Sequence, residues 1–192
     1  MNWLVFLLAA YLSLVLEAGL DGLLQVGATV PSLTLVLAVH VAWSAPRSGV
    51  PWAMLVLGFG QDMAHPLRVW SGEDLPLLGP WCLGYLAAGY VCLQLRPQLR
   101  RSSPLAFAMM TLAAGVFMHL VVVALITARG LPVPTGDPPE GWIVADELVA
   151  RFLALVYTIL LAAPLGVVWE RTTPLWRFAS AKHATARLHR MD

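Results

Sequence analysis

The chain has 192 residues, of which 59% are hydrophobic and 12% charged, with a mean hydropathy of +0.74 and a formal net charge of +1. An ordinary soluble domain carries about 25% charged residues. So small a polar fraction cannot cover a water-soluble globule, and an integral membrane protein is the class the composition predicts, with no nucleic-acid partner expected.

Six apolar segments follow one another, at roughly 3–24, 31–45, 50–66, 76–95, 104–128 and 146–169. No window alternates with period two, which argues against a β-barrel. The expected fold is therefore all-α, with six transmembrane helices in one domain over 1–170 and a basic tail over 171–192. The first segment has no Lys or Arg ahead of it and is read as a retained span rather than a cleaved signal. The second, "VPSLTLVLAVHVAW", opens on Pro31 and carries His40. The second and third segments are short of the roughly 20 residues that a bilayer requires, so thin or bent spans are expected there. Between them "SAPRSGVP" is a tight Pro/Gly loop.

The third segment contains "GFGQDMAH", in which Gly58, Asp62 and His65 share one helical face. A bare carboxylate at the bilayer centre costs about 2.5–3.5 kcal/mol on insertion scales, which drives Asp62 to the bundle interior or to a wet end. Three roles fit it: a structural hydrogen bond to another span or to His65, simple solvation at the outer interface, or proton or cation transport. Gly58 and Gly60 favour the first, because small residues let a partner helix approach. The fourth segment holds the small-residue positions Gly84, Ala88 and Gly89, and two cysteines, Cys82 and Cys92, whose spacing fits no zinc or redox motif. After the basic loop "RPQLRRSSP", Pro104 suits the first turn of the fifth segment, which contains Ala113, Ala114, Gly115 and His119. The stretch "GLPVPTGDPPEG" (130–141) carries four prolines and breaks the helical pattern. Pro164 inside the last segment removes a backbone donor and is expected to kink it.

Nine of the 12 cations fall in alternate loops and the tail: Arg47, Arg96, Arg100, Arg101, Arg171, Arg177, Lys182, Arg187 and Arg190. Only Arg68, Arg129 and Arg151 fall on the opposite side. Cytoplasmic loops carry the Lys/Arg excess, so both termini are expected in the cytoplasm. Most tryptophans sit near predicted span ends, as interfacial rings do. The tail, with Trp176, fits either a surface-hugging segment or a frayed end.

His40 and His119 are the other mid-segment titratable groups and the candidate polar groups of any cavity. A lone intramembrane histidine is more often a satisfied hydrogen-bonder than a ligand. No spacing offers a metal site, no cofactor is implied, and no Ser/His/Asp order or Gly-rich phosphate loop points to catalysis. Asp62 is read as the one intramembrane acid.

The proline-led second span, the Gly-x-x-x-Asp of "GFGQD" (58–62), "GYLAAG" (84–89) and the basic loop before the fifth span together resemble MreD, the bacterial rod-shape-determining membrane protein family. The resemblance covers about residues 1–170 and matches at Pro31, Gly58, Asp62, Gly84 and Gly89. It implies a non-enzymatic inner-membrane subunit of the cell-elongation machinery that makes peptidoglycan, beside an MreC-like membrane protein and a complex of a RodA-type glycosyltransferase with a class B transpeptidase. It also implies a fold similar to the substrate-binding subunits of ECF vitamin transporters, with a pocket open on one side. The long Pro-rich loop at 130–141 and the polar Gly60, Gln61 and His65 depart from the family pattern. The alternative is a membrane subunit of a transporter that captures a small ligand.

Overall fold

The computed structural model describes residues 1–19, 29–64, 67–68, 74–75, 79–99, 103–130 and 144–176. Among the described residues six α-helices follow in chain order: α1 (Trp3–Gly19), α2 (Leu33–Ser44), α3 (Val50–Ala64), α4 (Pro80–Leu95), α5 (Pro104–Gly130) and α6 (Val144–Thr172). A 3₁₀ turn, Thr173–Trp176, closes the described chain, and two residues on each side, Leu67–Arg68 and Asp74–Leu75, pair antiparallel between α3 and α4. The protein is all-α. By length and composition, α5 and α6 are the two described helices long and apolar enough to cross a membrane. The others are 17, 12, 15 and 16 residues long, so of the six spans expected from hydropathy, the second and third already read as short, two are supported by helix length among the described residues.

The shortening has local causes. Helix α4 begins at Pro80 and not at 76, because Gly79 has φ 128°, outside the helical region. Pro80 and Pro104 both stand at helix starts, where a missing N–H is no loss. Helix α2 starts behind Ser32, whose hydroxyl accepts from the Leu35 amide at 3.2 Å. It stops at Ser44, before the Ala45–Pro46 step.

Helix α2 is the central pillar. Ten of its 12 residues are buried, and it touches all five other helices. A helix that is apolar on every side belongs inside a bundle. The remaining helices pack mainly on their sequence neighbours, α3 on α4, α4 on α5 and α5 on α6. Glycines set these approaches. A Cβ on Gly84 would meet Val122 and Met118 of α5, one on Gly89 would meet Met54 and Val50 of α3, and one on Gly115 would meet Leu155 of α6 and Leu35 of α2. Ala88, between the two glycines of α4, is buried, as is Pro31 ahead of the α2 cap. Helix α6 continues through Pro164 to Thr172.

Large apolar side chains cover the outside. Leu4, Leu8 and Tyr11 of α1, Trp52 and Phe59 of α3, Leu105 and Phe117 of α5, and Phe152 and Leu160 of α6 are all exposed, Leu160 by 70%. So many large apolar side chains exposed among the described residues are unusual for a water-soluble monomer.

At one end of the bundle, Arg96 donates from Nη1 to the Ala45 carbonyl at 2.7 Å and to Ala42 at 3.4 Å, capping the C-terminus of α2. Arg96→Ala is expected to destabilise the fold by about 1–2 kcal/mol, with Arg96→Lys intermediate, read as thermal melting in mild detergent. Equal melting of all three proteins would refute that cap.

Near the same end lies an aromatic cluster. His40 stacks on Trp169 with centroids 5.7 Å apart and meets Trp176 at 5.4 Å. Trp176 is 1% exposed, donates from Nε1 to the Thr172 hydroxyl, and its carbonyl accepts from the Asn2 amide at 2.9 Å. Its ring fills space between α2 and α6, so Trp176 itself is neither a headgroup contact nor frayed, and the rest of the tail, 177–192, lies outside the described residues.

Candidate functional site

The site lies at the other end of the bundle, where α1 and α3 finish and α2 and α4 begin. A helix start exposes amides with no intrahelical acceptor. The N-cap of α4 is Gly79, which has no side chain to cap with. Asp62, two residues before the end of α3, supplies the missing acceptor. Its Oδ2 accepts from the amides of Gly79 (2.9 Å) and Cys82 (3.3 Å), and its Oδ1 accepts from that of Trp81 (3.1 Å). Its negative charge also faces the positive end of the α4 dipole. Asp62 is 1% exposed, so among its sequence readings the structural hydrogen bond holds and solvation at an interface does not.

Gly58, one turn earlier, makes this contact possible. A Cβ there would stand 2.5 Å from the Cys82 Cα and 2.8 Å from the Trp81 carbonyl oxygen. The Gly-x-x-x-Asp spacing thus works as one unit: the glycine admits the backbone of α4 and the acid caps it. His65, the third member of the predicted face, lies outside the described residues.

Glu17 performs the same service for α2. Its Oε2 accepts from the Thr34 amide (3.0 Å) and hydroxyl (2.6 Å), and its Oε1 accepts from the Gln61 side-chain amide (3.2 Å). Glu17 thus stands beside Asp62 as a second acid drawn into this helix junction. Glu17 lies near the end of α1, and from there its side chain turns into the bundle to reach Thr34. Both acids sit two residues before a helix end and cap the helix that follows. A sequence signal existed, since each acid precedes the first residue of the helix it caps by 16 or 18 positions, but hydropathy alone does not reveal the pairing.

Beside these caps lies a polar cavity of about 350 Å³, lined by Glu17, Gln61, Trp81, His119, Arg151 and Thr158 among others. Arg151 forms an ion pair with Glu147 at 2.6 Å and places its guanidinium 5.1 Å from the Trp81 ring centre. His119 meets Trp81 edge-on at 6.3 Å, and its buried Nδ1 has no hydrogen-bond partner among the described residues. The Thr158 hydroxyl accepts from the Ser32 amide at 2.9 Å and donates to the Ala154 carbonyl. His40 was paired with His119 as a cavity group, but the two are separated. His119 lines the cavity, whereas His40 is enclosed by Trp169 and Trp176. Periodicity marks both as inward-facing but carries no information on which end of the bundle has a void.

Both cysteines are free, and no cluster of three or more potential metal ligands occurs among the described residues. What the arrangement can do chemically is bind: it offers a carboxylate, a guanidinium, an imidazole nitrogen and an indole face around one opening. Comparison with family models, with curated proteins and with solved structures finds no match.

Proposed function

We propose that this protein is a membrane-embedded, non-catalytic scaffold of the bacterial cell-elongation machinery, in the manner that its resemblance to MreD implies, docking an MreC-like partner and positioning a RodA-type glycosyltransferase with its class B transpeptidase. One observation carries the reading. Gly58, Asp62, Gly84 and Gly89, four of the five positions on which the resemblance rests, converge on α4 and build its contacts with α3 and α5. Residues shared for catalysis would be expected around a cavity; these hold helices together.

Six passes through the bilayer remain compatible with short helices. At 1.5 Å per residue, the 17 residues of α1 extend about 26 Å, close to the roughly 30 Å hydrocarbon core. Helix α2 is shorter still, but its neighbours shield it, so its ends need not reach the headgroups themselves. With the arginine-rich turns in the cytosol, reporter fusions at Arg100 and Pro138 are expected to light up on opposite faces of the inner membrane. Both in one compartment would overturn the topology. Co-purification with an MreC-like protein from mild detergent tests the docking role, and elution alone from cells that express the candidate partners contradicts it.

The second reading, a ligand-capturing membrane subunit, is favoured by the cavity at Glu17, His119 and Arg151. Ligand-dependent stabilisation without an MreC-like partner would distinguish it from the first.

A further inference from the structure

His119 has a second environment besides the polar cavity. The same ring forms a wall of a second hollow of about 350 Å³ between α5 and α6, lined otherwise by apolar side chains including Val116, Leu120, Val149, Phe152 and Leu153. Four of these, Leu120, Val149, Phe152 and Leu153, are about half exposed, so the hollow opens on the apolar exterior. A charged chamber and a greasy groove therefore share one wall.

The chamber carries one charge of each sign. Glu17 accepts three hydrogen bonds, all from neutral donors, and no cation pairs with it among the described residues. Arg151 is held on the other side by Glu147 and Trp81. We propose that the two hollows together form a site for one zwitterionic amphiphile with a primary ammonium head, its ammonium at Glu17, its anionic group at Arg151 and an acyl chain along the α5–α6 groove. This inference rests on the bilayer placement proposed above. A primary ammonium is specified over a quaternary one because the chamber presents acceptors. The Glu17 carboxylate has lone pairs to spare, and His119, as the Nε2–H tautomer, offers Nδ1. A quaternary head has no N–H to give them. A purely anionic head could reach Arg151 in the same way but would bring no ammonium to Glu17, leaving that carboxylate facing a like charge. A free zwitterion would leave the groove unused, whereas an acyl chain fills it with the chemistry it presents.

The test uses the full chain in dodecyl maltoside, with dioleoyl phosphatidylethanolamine, phosphatidylcholine or phosphatidylglycerol added and the bound adduct read by native mass spectrometry. One phosphatidylethanolamine per chain is expected to persist, with about tenfold higher occupancy than either other lipid. His119→Leu and Glu17→Gln should each bring that preference to within about twofold. Val149→Trp, which fills the groove from an exposed position, should remove the retained adduct for every lipid. Equal retention of the three lipids by the wild type overturns the site, as does retention unaffected by Val149→Trp. Stabilisation by soluble glycerophosphoethanolamine to the same extent as by the lipid would also overturn it, because the groove would then be idle. Carbonate washing of membranes separates the two failures. Release of the chain sinks the bilayer placement and this site with it, whereas a chain that stays in the membrane without lipid preference sinks the site alone.

Discussion

Asp62→Leu is expected to destabilise the bundle by about 3 kcal/mol or more, and Asp62→Asn by roughly half as much, measured as melting in mild detergent. The leucine leaves the amides of Gly79, Trp81 and Cys82 without acceptors at the start of α4, each a partly buried donor. An asparagine can turn its one carbonyl oxygen to the Gly79 and Cys82 amides that now share Oδ2, losing the Trp81 bond and the charge at the helix dipole. The ordering distinguishes a cap from a transport carboxylate. A proton carrier would lose function in both variants while its melting stayed near the wild type. Indistinguishable melting of the two variants would contradict the cap.

Gly58→Ala is expected to be the most damaging single methyl insertion in the helices. The new Cβ would meet backbone atoms, Cys82 Cα at 2.5 Å and Cys82 N at 2.8 Å, and backbone cannot rotate aside. Helix α4 would have to move off α3, which lengthens the Asp62 bonds as well, so the combined cost is put at about 3 kcal/mol. Gly89→Ala makes an equally close approach, 2.6 Å, but to the Met54 Cγ, part of a flexible side chain. Its cost should be about 1 kcal/mol, and that of Gly60→Ala, facing the Leu14 methyl, similar. A melting temperature for Gly58→Ala at or above that of Gly89→Ala would refute the backbone contact. Because Gly58 and Asp62 serve one junction, Gly58→Ala combined with Asp62→Asn should cost less than the sum of the two single changes.

These two residues also show how far the sequence could be read. The spacing of four between Gly58 and Asp62 places both on one face, and small residues beside an acid suggest a close helix crossing. The partner was not legible. Nothing in the third segment says that the acid serves the first turn of α4 instead of His65, since the choice depends on a glycine N-cap that cannot cap itself. Glu17 makes the point more strongly. Its hydropathic context is a helix end, and only the meeting of α1, α2 and α3 in space turns it toward Thr34 and Gln61. Trp176 lies beyond the last apolar run, yet its burial follows from room left beside His40 and Trp169.

By itself the sequence determined the all-α class, the apolar character of every helix, the places where proline and glycine interrupt them, and the small residues at which helices touch. Each of these is encoded within a few residues along the chain, by hydrophobic runs, by missing backbone donors or by the absence of a Cβ. The tertiary structure alone decided that α2 is the shielded centre, that two acids cap helices not their own, and that His119 lines both a charged chamber and an apolar groove. Those depend on contacts between distant positions, such as the Ser32 amide on the Thr158 hydroxyl 126 residues away, and no local pattern records which distant surface a helix will meet.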